Sequence, residues 1–157
     1  MFKKVILIIS IGLALLIATS YFFFRQDKPD LPSEYQMAGQ NEKVIHINGR
    51  ALTVEIADEP HEQAQGLSSR ESLGQEQGML FVFQQPLVPS FWMKDMGFAL
   101  DMLWIDADGK VIAITKNISP DTYPETFSPP SPILYVLEVN AGWSDRNNIK
   151  VGDVVSF

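Results

Sequence analysis

From residue 44 onward, apolar positions fall in short runs separated by turn-forming residues, with little at helical spacing. "VIHINGRALTVEIA" (44–57) divides at Asn48-Gly49. That pair suits a two-residue hairpin turn, because both central positions need positive φ. Asp58-Glu59-Pro60 predicts a short helix with Asp58 as N-cap, continued by "HEQAQ" and ended at Gly66. "GMLFVF" (78–83) is a continuous apolar run of strand length. Asp108-Gly109 marks a second turn, "KVIAITKNI" (110–118) another strand, and "ILYVLEVN" (133–140) the last long one. The final stretch, 141–157, reads as a turn or short helix and a closing strand, and no segment repeats. Strand signals dominate, so the expected fold is mainly β: an antiparallel β-sandwich or barrel-like domain with one or two short helices.

One stretch breaks the simple pattern. "FWMKDMGFALDMLWID" (91–106) alternates as strands do, yet charges keep landing among the apolar positions. At period two, Asp101 shares a face with Leu103 and Ile105, opposite Leu100, Met102 and Trp104. Both faces are apolar, as in a strand covered on two sides, so Lys94 and Asp101 face burial and need partners. In 133–140, Glu138 and Asn140 share a face with Leu134 and Val136. The picture that unites these observations is a polar cluster of Lys94, Asp95, Asp101, Glu138 and Asn140, with Arg70 added from a preceding loop. Such a cluster is either a ligand-contacting pocket or an ion-pair network that fixes strand register. A tight hairpin at 97–99 would set Asp95 against Asp101, an arrangement that like charges oppose, so the two segments are not expected to pair that way. Trp92, Trp104 and Trp143 are either core residues or platforms for sugar rings.

The amino-terminal part differs in kind. Residues 5–24 are almost uninterrupted apolar sequence preceded by Lys3 and Lys4, the pattern of a single transmembrane helix with its start in the cytoplasm. The alternative is a signal segment cut after Ser20, which would leave the rest secreted. Three regions follow: an anchor or uncleaved signal at 1–24, a polar, proline-containing tether at 25–43, and a β domain at 44–157. The absence of cysteine removes disulfides, thiol nucleophiles and lipid attachment together. From residue 44 the chain carries seven Lys/Arg against fifteen Asp/Glu. An acidic domain placed beyond a membrane is a poor partner for nucleic acid, whose phosphates require basic residues.

Gly66-Leu67 followed by Arg70, then "GMLFVF", "FWMKDMGFALD", "WIDADGKV", "VLEVNAG" and "VGD" together resemble the DUF192 (UPF0127) family over nearly all of 44–157. The family pattern reads FWMK-Asn-Thr and later Pro-Leu-Asp, where this chain has Asp95, Met96 and Ala99. The resemblance implies a β-rich, often sandwich-like domain that is exported or membrane-anchored. It names no reaction.

No cofactor or metal site is expected. His46 and His61 stand apart, and "DADG" (106–109) lacks the remaining ligands of a calcium loop and reads as a turn. Neither a nucleophile elbow nor a phosphate loop is present. The leading expectation is therefore a non-catalytic, membrane-anchored extracytoplasmic domain. It binds a small or oligomeric envelope ligand, a glycan among the candidates, in a groove near Trp92 and Lys94. The runner-up is an envelope-acting hydrolase with Asp101 and Glu138 as its acid–base pair. The third is a protein–protein accessory module presenting the proline-rich loop at 119–132.

Overall fold

The computed structural model describes residues 41–157. The expected anchor at 1–24 lies outside them, as does the tether up to residue 40. Among the described residues no helix is long and apolar enough to cross a membrane. The predicted hairpin is present: β1 (Glu42–Ile47) and β2 (Arg50–Ala57) pair antiparallel through Asn48 and Gly49, at φ 50° and 73°. The helix α1 (Pro60–Gln65) begins one residue later than predicted, with Glu59 as its N-cap. The Glu62 carboxylate reaches back to accept from the Asp58 and Glu59 amides, at 3.2 and 3.1 Å, so it satisfies donors that the helix start leaves open. Gly66 closes the helix at φ 51°.

The chain continues through β3 (Gln77–Leu87), β4 (Phe91–Trp92), β5 (Leu100–Ile105), β6 (Val111–Ile118), β7 (Thr126–Phe127), β8 (Ile133–Asn140), α2 (Trp143–Arg146) and β9 (Val155–Ser156). Seven strands form one sheet in the order β6-β5-β8-β3-β2-β1-β9, while β4 and β7 form a separate two-stranded ribbon. The fold is mainly β with few short helices, and the sheet curls until its ends meet at a bridge between Lys110 and Val154. The pairing is not wholly antiparallel, because β2 and β3 run parallel. Their connection passes through α1 and the loop to residue 76, and a crossover of that length is what a parallel pair requires.

Two cores sit on the two faces of this sheet. All seven strands contribute to the one inside the curl, which holds Val54, Leu80, Leu103, Leu137, Val139 and Trp143. Outside, Met79, Phe81, Met102, Trp104 and Val136 pack beneath Leu67 and Met93 from the covering loops. β5 is buried along its whole length, so the two-sided burial read from its alternation is present. The segment before it is not: strand geometry stops at Trp92, and the chain turns through Asp95 at φ 56°. β4 instead pairs with β7, within the long proline-rich segment.

Asp101 shows how the inner face accepts a charge. Its carboxylate lies opposite a bulge in β6 and is wholly buried. It accepts from the backbone amides of Asn117 (2.9 Å), Gly142 (3.1 Å) and Ser144 (3.1 Å). One side chain thus ties β5, the bulge and the start of α2 together. Asp101→Asn would aim an amide NH2 at a backbone donor. It is expected to lower unfolding free energy by about 2–4 kcal/mol. Urea denaturation measures this, and a loss below about 1 kcal/mol would contradict the structural role.

Candidate functional site

The outer face carries a row of side chains across four strands. Glu55 on β2 is registered with Met79 on β3, Met79 with Glu138 on β8, and Glu138 with Met102 on β5. Residues paired in this way share a face. The row therefore holds two acids, and their surroundings differ. Glu55 receives a two-pronged ion pair from Arg70, with Nη2 2.8 Å from Oε2 and Nη1 against Oε1. Glu138 is flanked by two methionines and is 5% exposed. Among the described residues its carboxyl makes no hydrogen bond or ion pair. It lies at a groove of about 330 Å³ under α1 and the loop leading into β4, near the lower end of the size range of small-molecule pockets.

The groove has aromatic walls and a polar edge. Phe81, Phe83, Phe91, Trp92 and Met96 line it. Phe81 and Phe91 meet edge to face at 4.9 Å, and Phe91 meets Trp104 likewise at 5.7 Å, which fixes the walls. Trp92 stands at the rim, 54% exposed, with Tyr123 against it at 5.9 Å and the Lys94 ammonium 6.0 Å from its ring centre. Three of the polar lining residues have donors engaged elsewhere. Gln63 Nε2 donates to the carbonyls of Ala57 (3.3 Å) and Val82 (2.9 Å). Ser68 Oγ donates to the Lys94 carbonyl (3.1 Å), and Gln65 Nε2 to the Ser68 carbonyl (3.1 Å). Gly97 lets the covering loop close on its neighbour, since a Cβ there would stand 2.6 Å from the Arg70 carbonyl oxygen.

The structure divides the polar cluster expected from sequence. Asp101 is registered with Val139, one residue from Glu138, so the two carboxylates project from opposite faces of the sheet. They form no acid–base pair, and the hydrolase arrangement that needed both is absent. Arg70 is committed to Glu55, and Asn140 Nδ2 donates to the carbonyls of Leu73 (3.1 Å) and Gly74 (2.9 Å), pinning that loop. Lys94 and Asp95 are exposed in the turn after β4 and approach neither buried acid. Trp104 and Trp143 are core residues, whereas Trp92 is open. Of the expected cluster Glu138 remains at the groove, joined there by Trp92 at the rim. Sequence reasoning missed Gln63, Ser68, Phe81 and Phe83, whose only signals were helix continuity and an apolar run. Among the described residues no three His, Asp or Glu side chains converge as a metal centre requires.

The chain belongs to the DUF192 family, described as Uncharacterized ACR, whose model matches residues 43–157. It is similar to a protein of Sinorhizobium meliloti 1021 described as a candidate transcription regulator. That match has 34% identity and a TM-score of 0.69, over 73% of this chain and 92% of the other. It is also similar to a protein of unknown function from Novosphingobium aromaticivorans DSM 12444. Here identity is 32% and the TM-score 0.70, over 74% of this chain and 85% of the other. No curated protein matches the chain.

Burial raises the Glu138 carboxyl from its ordinary 4.5 to about 8. The folded protein therefore holds a proton that the unfolded chain releases between those values. Its contribution to stability is intact below about pH 4.5 and falls as pH rises to about 8, by up to about 1.4 kcal/mol per pH unit. Glu138→Gln cannot ionise, so its stability is expected to pull ahead of the native chain's progressively from pH 5 to 8 and then hold a constant lead. Denaturant titrations of both proteins across this range measure the difference. A constant difference at every pH would mean that Glu138 ionises as it does in water.

Proposed function

We propose that this chain is a membrane-anchored, extracytoplasmic domain that binds a small or oligomeric ligand, glycans included, in the groove between Trp92 and Glu138. The observation that carries the reading is the union of one unpartnered buried carboxyl with an apolar groove whose rim exposes a tryptophan. Cores are stabilised by burying Trp92-like surface and by excluding Glu138-like groups, so neither feature serves folding. An exposed indole beside Tyr123 offers a flat face on which a sugar or another planar-sided ligand can stack.

The other parts of the reading rest on sequence. The apolar segment 5–24 behind Lys3 and Lys4 supports the anchor and the placement of the domain beyond the membrane. The charge of the domain disfavours the transcription regulation named in the description of the Sinorhizobium protein. Seven basic against fifteen acidic residues from position 44 give the domain the wrong charge for a phosphate backbone. With Asp101 turned to the inner core, a binding role accounts for the groove with fewer assumptions than hydrolysis.

The test is a titration of the purified full chain in detergent with envelope-derived oligosaccharides and small metabolites, followed by tryptophan fluorescence and melting temperature. A binding ligand is expected to raise the melting temperature. Trp92→Ala should weaken that ligand about tenfold while leaving the melting temperature of the free protein nearly unchanged, because the ring is largely exposed. A panel in which nothing binds, or a ligand indifferent to Trp92, would remove the groove as its site.

A further inference from the structure

The groove's free polar capacity has a sign. Both N–H groups of Gln63 are directed at backbone carbonyls, the hydroxyl proton of Ser68 is spent on the Lys94 carbonyl, and Gln65 donates to the Ser68 carbonyl. Gln63 and Ser68 thus retain acceptor oxygens. Among the described residues the one ionisable lining residue is an acid, and no lysine or arginine lines the groove. Aromatic rings make up much of the wall, and their faces attract cations. An anionic ligand would meet a carboxyl without a counter-charge, and a neutral one would bring that carboxyl no opposite charge. A cation that donates hydrogen bonds answers both.

We propose that the Glu138 groove takes the ammonium group of an organic amine, which pairs with the Glu138 carboxylate and is surrounded by the rings of Phe81, Phe83, Phe91 and Trp92. This inference rests on the ligand-binding reading and specifies the chemistry of the group that enters. The exchange balances simply. An ammonium R–NH3+ meets the carboxylic acid form of Glu138, one proton leaves to solvent, and a carboxylate–ammonium pair remains, with no other bond made or broken. The groups facing Glu138 along the sheet are Met79 on β3 and Met102 on β5, neither of which titrates. The covering α1 and its following turn present Gln63, Gln65 and Ser68, again without charge, while at the rim the turn after β4 holds the Lys94 ammonium 6.0 Å from the Trp92 ring centre. The nearest charges on the same row, Glu55 and Arg70, neutralise each other beyond Met79. Uptake of a cation is therefore coupled to the Glu138 proton and to no other group on that row.

The experiment uses the full chain in detergent with benzylammonium as probe and benzyl alcohol as its neutral counterpart. Calorimetry in buffers of different ionisation enthalpy counts the protons released. At about pH 6.5, close to one proton is expected to leave per benzylammonium bound, with the count declining toward zero as the pH passes about 8. Below that point affinity should rise about tenfold per pH unit, as binding coupled to loss of one proton requires. Glu138→Gln, with its fold checked by circular dichroism, should bind the probe at least tenfold more weakly and release no proton. Benzylammonium binding without proton release, or benzyl alcohol binding as tightly, would overturn the amine assignment and leave the ligand-binding reading standing. Failure of this probe together with the whole oligosaccharide and metabolite panel would overturn both.

Discussion

The pairing of β5 with β8 is the constraint on which the rest of the structure depends. Both strands are central in the seven-stranded sheet, and their register sets Leu103 against Leu137, Met102 against Glu138 and Asp101 against Val139. Because side chains alternate, a single register decides the contents of two cores at once. It commits Leu103, Ile105, Leu137 and Val139 to the inside of the curl, and Met102, Trp104 and Val136 to the outer face. A slip by one residue would bring both acids to the wrong cores along with every apolar neighbour.

The two acids on these strands are handled in opposite ways. Three backbone amides converge on the Asp101 carboxylate oxygens, and those amides belong to segments that would otherwise end without partners: the β6 bulge and the first turn of α2. The short Asp101 side chain acts as a backbone clamp. Glu138 has no such donors among the described residues, so it is the proton that is kept. The same chemical group is therefore structural on one face and poised for exchange on the other, and the sheet between them prevents their cooperation.

Much of this architecture was legible in the residues, and the reasons are local. Asn48-Gly49, Asp108-Gly109 and the helix end at Gly66 were readable because turn chemistry depends on immediate neighbours. The burial of β5 on both sides was readable because apolar residues occupy both of its alternating faces. The parallel pairing of β2 with β3 was not, since it depends on where a crossover of some twenty residues returns. Nor was the division of the polar cluster. Period two says which residues of one strand share a face, but it is silent on which face of a neighbouring strand joins them. Asp101 and Glu138 each read correctly within their own strands, and their separation arose only from the register between strands. Arg70 and Asn140 were expected in the polar cluster, yet their partners, Glu55 and the carbonyls of Leu73 and Gly74, lie too far along the chain for any pattern to supply.

What remains is the energetic oddity of the outer row. Met79 and Met102 flank position 138, and an apolar side chain there would extend their packing, adding on the order of 1.5–3 kcal/mol of burial in place of a desolvated acid. Replacing buried ionisable groups by apolar ones of similar volume is often neutral or stabilising, which argues against stability as the reason for a lone glutamic acid. Strand register does not need it either, because Asp101 and the Arg70–Glu55 pair already tie this sheet to its loops with directional contacts. The acid therefore makes most sense in relation to the groove beside it. A carboxyl held protonated by burial is a site of stored desolvation, and a cation that enters relieves that cost by supplying the partner the fold withholds.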